Sequence, residues 1–171
     1  MNIENIQRIS NLLFIYVLCA LVAIAYLFQY VIHEHFCPPC LLQRLSMISI
    51  CYCLLVNLRY GISAKFYGLA ILCIIEGAFV SLWQISYHAC PQFPSISPPL
   101  LGLRLYSWAL IIFAACLFSV AILLILLAAT KEKIAPKWGM GEKIAFTFLA
   151  LLLISHIIFI PIQCGLSTCA H

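Results

Sequence analysis

The sharpest chemical feature of this 171-residue sequence is Cys37-Pro38-Pro39-Cys40. Two cysteines at this spacing hold their sulfurs close enough to cycle between dithiol and disulfide. An apolar run begins directly behind them, and Pro38 suits the first position of a helix, where its fixed φ fits and its missing N–H costs nothing. Cys37 then stands near the N-cap, where the positive helix end favours a thiolate. The two prolines also withdraw N–H donors that would otherwise serve that thiolate. Arg44 follows Cys40 by four residues, which puts both on one helical face. Its charge either stabilises a Cys40 thiolate or an anionic acceptor beside it, or simply anchors the helix end at a membrane interface.

These residues sit in a chain that water would not dissolve. It is 65% hydrophobic and 8% charged, with a mean hydropathy of +1.13. A soluble domain carries about 25% charged residues, so a soluble globule is excluded, and so is disorder, which needs low hydrophobicity. Nine Lys and Arg against five Glu give +4, too small and scattered an excess for nucleic acid. No nucleotide motif, Gly-rich phosphate loop or flavin fingerprint is present.

Five apolar stretches are long enough to cross a hydrocarbon core of about 30 Å: residues 11–32, 41–58, 66–87, 105–129 and 144–163. With short connections they predict one integral membrane domain over residues 1–171, an all-α polytopic bundle. The first stretch is too long for a cleaved signal core and reads as a retained helix. Arg8, Arg59, Lys65, Lys131, Lys133, Lys137 and Lys143 flank the spans on one side, Arg44 and Arg104 on the other. The positive-inside rule makes the first side cytoplasmic. The N-terminus is then inside and the C-terminus outside.

That orientation sorts the ten cysteines. Cys19, Cys51, Cys53, Cys73 and Cys116 fall inside spans and read as small apolar packing residues. Cys37, Cys40, Cys90, Cys164 and Cys169 all fall at or beyond the outer helix ends, where an oxidising compartment permits disulfides. Glu76, near mid-membrane, is either functional or a carboxyl hydrogen-bonded to a neighbouring helix, with His156 the candidate. Pro161 is expected to bend or end the fifth helix. Trp83, Trp108 and Trp138 read as interfacial anchors.

The run Cys37-Pro38-Pro39-Cys40-Leu41-Leu42-Gln43-Arg44, placed between a first and a second span, resembles the DsbB family of membrane thiol–disulfide oxidoreductases, including its BdbC-like branch. Gly77-Ala78-Phe79, His88 and Leu101-Gly102-Leu103 add to the likeness, which extends over the first four spans. The resemblance implies a four-helix core, here with a fifth transmembrane helix, in a bacterial inner membrane. It implies a quinone, ubiquinone or menaquinone, that accepts two electrons from the Cys-x-x-Cys pair. Cys40 would face the quinone, Cys37 would exchange with a second cysteine pair, and Arg44 and His88 would line the quinone site. The second pair would receive electrons from a soluble thioredoxin-fold oxidant of the DsbA type.

One departure stands out. The family's second pair lies between the third and fourth spans, where this sequence has only Cys90. The pair is then Cys164 with Cys169 in the C-terminal tail, or Cys90 with one of those two, or the chain has no stable second pair. Two other classes compete with the redox reading. His33, His35, Cys37, Cys40, His88, Cys90, Cys164, Cys169 and His171 could form an outer Cys/His metal site, although Arg44 would repel a cation there and no metal is expected. A structural subunit with stapled loops is the third.

Overall fold

A computed structural model of the protein describes residues 3–32, 38–89, 102–129 and 139–164. Five helices carry nearly all of them: α1 (Ile3–Ile32), α2 (Pro38–Tyr60), α3 (Ala64–Ala89), α4 (Leu105–Ala129) and α5 (Met140–Cys164). Each is long and apolar enough to cross a membrane. Their outward faces are as apolar as their inward ones: Leu13, Phe79, Phe118 and Ile125 are all more than 60% exposed. Such a surface is stable against lipid and not against water. The protein is a multi-pass membrane bundle.

Helices α1 to α4 form a ring of neighbours, α1 on α2, α2 on α3, α3 on α4 and α4 on α1, and α5 packs outside it against α1 and α2. Ile15, Leu18 and Val22 of α1 meet Ile50, Leu54 and Leu58 of α2, Tyr67 and Ile74 of α3, and Phe113 and Val120 of α4 in one core. The five intramembrane cysteines are free thiols in or against this core, with the Cys19 and Cys51 sulfurs 3.9 Å apart.

Helix α2 is the most deeply enclosed, with half of its most apolar stretch inside the bundle. It buries Gln43, Arg44, Ser46 and Asn57 along with its apolar residues. Polar groups in a hydrocarbon layer must find partners within the protein, so this is where the bundle's polar contacts gather. It begins at Pro38 and stops at Gly61, whose φ of 99° suits a glycine better than any side chain.

Contacts at both ends fix the helix directions. Late in α1, Gln29 meets Arg44 early in α2, and late in α3, Gln84 meets Gln43. At the opposite end Arg8 of α1 pairs with Glu142 of α5 at 2.5 Å, and the other Glu142 oxygen accepts from the Gly139 N–H at 2.9 Å. That second bond is half of a capping box. Asn11 donates to the Gln7 carbonyl at 2.8 Å and to the Tyr67 hydroxyl at 2.6 Å, and Gln7 donates to the Leu123 carbonyl at 3.2 Å. Helix α5 therefore runs parallel to α1 and finishes at the end of the bundle where α2 begins.

Two expectations change. Glu76 and His156 do not pair: Glu76 shares a 2.6 Å hydrogen bond with Ser46, and His156 meets Tyr26 at 2.5 Å. Helix α5 sits on the α1–α2 side of the ring, away from α3, so the two cannot meet. Pro161 does not end α5, which continues to Cys164. This near the helix terminus, a proline removes few intrahelical bonds.

Gly77 marks the closest approach of α3 to α4. A Cβ there would overlap the ring of Phe113, which is fully buried and has nowhere to retreat. Gly77→Ala should cost about 1–3 kcal/mol, the usual penalty for overpacking a tight core, seen as a lower thermal midpoint in detergent. Gly68→Ala on the same helix, where a Cβ meets nothing within 4 Å, is the control and should leave the midpoint unchanged.

Candidate functional site

At the end of the bundle where α2 begins, four helices enclose a cavity of about 310 Å³. Its walls are Leu21, Ile24, Ala25 and Phe28 of α1, Cys40, Gln43, Arg44 and Met47 of α2, Gln84 of α3, and Leu105, Tyr106, Trp108, Ala109 and Ile112 of α4. The volume lies at the lower end of the range for small-molecule sites, and the mix of apolar walls with a few converging polar groups is typical of one.

Each polar group is held in place. Arg44 is only 8% exposed. Its guanidinium donates to the Gln29 side-chain oxygen and, at 3.2 Å, to the Ala25 carbonyl, and it lies 4.6 Å from the centre of the Tyr26 ring. All three partners lie within one turn and a half of α1, and the two hydrogen-bond acceptors are uncharged. Arg44 thus brings a positive charge to the cavity wall. Gln43 donates to the Gln84 oxygen at 3.0 Å, which turns the Gln84 amide N–H toward the Cys40 sulfur at 3.7 Å. Cys40 itself is disulfide-bonded. Cys19, Cys51, Cys53, Cys73 and Cys116 are free thiols.

The sequence-derived candidates fall into three groups. Cys40 and Arg44 line the same cavity. His88 stands at its margin, its ring stacked on that of Tyr106 with centroids 5.5 Å apart, and Tyr106 is a cavity wall. Cys37, Cys90 and Cys169 lie outside the described residues, as do His33, His35 and His171 of the metal reading, and Cys164 is described only as the last residue of α5. Gln43, Gln84, Tyr26 and Gln29 were not singled out from the sequence. An uncharged amide in an apolar span needs an internal partner, which was the signal available. Trp108, read as an interfacial anchor, lines the cavity instead.

A second groove of about 440 Å³ shares Leu21 and Ile112 with the first and follows the α1–α4 seam past Phe14, Val17 and Cys116 toward Ser10 and Leu126. Its lining is apolar apart from two serines. Taken together, the two spaces suit a ligand with a compact polar head and a long apolar tail.

Chemically, the site can do two things. Arg44 and the Gln84 amide can stabilise negative charge on the Cys40 sulfur or on a neighbouring oxygen. The aromatic and aliphatic walls can hold a flat, weakly polar ring against that sulfur. These are the needs of an electron acceptor beside a dithiol, and a quinone head fits the donor set.

No curated protein and no solved structure matches the chain. The family model for disulfide bond formation protein DsbB matches residues 7–97, just over half of the sequence. That stretch includes most of α1 and all of α2 and α3, and with them Cys40, Arg44 and Gln84, and the chain belongs to the DsbB family of membrane disulfide bond formation proteins.

Proposed function

We propose that the protein is a quinone-linked thiol–disulfide oxidoreductase of a bacterial inner membrane. It acts as a single integral membrane domain with its N-terminus cytoplasmic and its C-terminus periplasmic. Reduced thioredoxin-fold protein of the DsbA type delivers two electrons through the outer cysteines to the Cys37–Cys40 pair, and ubiquinone or menaquinone removes them. The observation that carries this reading is that the disulfide-bonded Cys40 and the buried Arg44 line one apolar cavity.

The roles of the chain's own groups follow from ordinary thiol chemistry. A thiolate attacking the Cys37 sulfur forms a mixed disulfide and expels Cys40 as a thiolate. Arg44, four residues on, and the Gln84 amide N–H lower the energy of that leaving group. A bound quinone supplies a two-electron, two-proton acceptor, so that dithiol plus quinone gives disulfide plus quinol. Arg44 and Gln84 would hold its head, and Trp108 and Tyr106 would flank it. The groove along α1 and α4 would take its isoprenoid tail.

The test is quinone reduction by purified protein supplied with reduced partner. Arg44→Ala should weaken quinone binding by about 1–3 kcal/mol, the worth of a charge-assisted hydrogen bond in poorly solvated surroundings. Arg44→Lys should recover only part of it, since a point charge does not reproduce the planar fork. An unchanged apparent quinone affinity in Arg44→Ala would remove the role assigned to Arg44. A metal centre, the competing class, predicts instead that a chelator abolishes activity and that quinone has no effect.

A further inference from the structure

The fifth helix lies beyond residues 7–97, where the family match ends, yet it reaches the site. His156 of α5 is 2% exposed, and its Nδ1 shares a 2.5 Å hydrogen bond with the Tyr26 hydroxyl. Phe159, one turn further along α5, packs on the Tyr26 ring with centroids 5.5 Å apart. The other side of this contact is the charge in the cavity: the Arg44 guanidinium lies 4.6 Å from the Tyr26 ring centre. Three residues from three helices thus form a chain, His156 to Tyr26 to Arg44, and its last member lines the cavity.

The physics of each link gives the chain a direction. Tyr26 is on α1, next to Ala25, whose carbonyl accepts from Arg44. Tyr26 is half-buried, and a hydroxyl in an apolar layer is held most firmly where it has a defined partner, which His156 supplies. The bond to His156 and the Phe159 ring fix the plane of the tyrosine. A cation is attracted to the face of an aromatic ring and not to its edge, so fixing the plane fixes where the guanidinium rests. That in turn sets which way its remaining donors point. Gln29 and the Ala25 carbonyl each take one guanidinium donor, and the Tyr26 ring adds a third point of contact on its face.

We propose that α5 is part of the acceptor site, with His156 the positioning residue that, through Tyr26, aims Arg44 into the quinone cavity. The proposal rests on the quinone reading above and adds a residue from outside the matched stretch. His156 is not among the residues that line the cavity, so its effect on quinone affinity runs through Arg44.

Trp108 in the cavity wall offers a readout that needs no turnover. With Trp83→Phe and Trp138→Phe as background, Trp108 is the sole tryptophan, and quenching of its fluorescence by a short-chain ubiquinone or menaquinone analogue gives the dissociation constant. His156→Leu should raise that constant about five- to tenfold, the worth of one hydrogen bond and one oriented cation–π contact. Tyr26→Phe, which keeps the ring and loses the hydroxyl, should match it, and the double variant should be no worse than either single one. His156→Asn places an amide near the position of Nδ1 and should restore most of the binding. Dithiothreitol should still reduce the Cys40 disulfide in all four, with any slowing no greater than that of Arg44→Ala, since the effect runs through Arg44. His156→Leu with unchanged quinone affinity, or a loss that Asn does not rescue, overturns the positioning role. A parent protein that neither binds nor reduces quinone overturns the quinone reading itself, and this inference with it.

Discussion

Cys40→Ser should abolish quinone reduction, by at least about a thousandfold, because cysteines that act as one unit fail as one unit. The same variant should still form a mixed disulfide with oxidised partner, by attack of the Cys37 thiolate on the partner's disulfide. Cys40 sits in the cavity wall beside Arg44, and Gln84 directs an amide N–H at its sulfur. Cys37 precedes α2, whose first residue is Pro38. If Cys37 is the exchanging sulfur, its thiolate attacks the disulfide of oxidised partner and expels one partner thiolate. Without Cys40 nothing on this chain's side of the pair resolves the mixed disulfide at Cys37, so the adduct should accumulate. Cys37→Ser should be equally inactive in turnover but should trap nothing through this pair. Mixing each variant with oxidised or reduced partner, quenching with acid, alkylating and running non-reducing gels tells them apart. The same adduct from both variants would falsify the division of labour between the two sulfurs.

Much of the frame was legible because it is written in local pattern. Long apolar runs mark helices whatever they pack against, and the four-residue spacing of Cys40 and Arg44 puts them on one face before any tertiary structure is known. The partners of that face were not legible. Gln84 reaches Cys40 and Gln43 only because α3 returns antiparallel beside α2, and no sequence window contains both ends of that contact. The sequence marks His156 as a polar group in a span and points to Glu76, whereas its partner is Tyr26. Two ionisable residues in a membrane invite pairing, but the choice between Glu76 and Tyr26 depends on which side of the ring α5 occupies. Trp108 shows the same gap at the level of one side chain. Its place near a helix end fits an interfacial anchor, and only the neighbouring helices turn that position into a cavity wall.

The departure of this chain from its family's cysteine pattern gives the second large expected effect. Disulfide exchange needs sulfurs in contact, so a relay pair is useful only at the end of the bundle where α2 begins. Helix α5 runs parallel to α1 and finishes there, at Cys164, and Cys169 follows five residues later in a segment with Gly165 and Ser167. We therefore expect Cys164 and Cys169 to relay electrons from the soluble partner to Cys37. Deleting residues 163–171 starts beyond His156 and Phe159, so the contacts of α5 with Tyr26 remain in place. The shortened protein should fold, and it should reduce quinone at the full rate when dithiothreitol supplies the electrons directly to the Cys37–Cys40 pair. Its oxidation of a reduced thioredoxin-fold partner should fall to background, as should that of the Cys164→Ser, Cys169→Ser double variant. Cys90→Ser should oxidise the partner normally. If the deletion keeps full partner oxidation and Cys90→Ser loses it, the exchange runs through Cys90 and the tail cysteines are a staple.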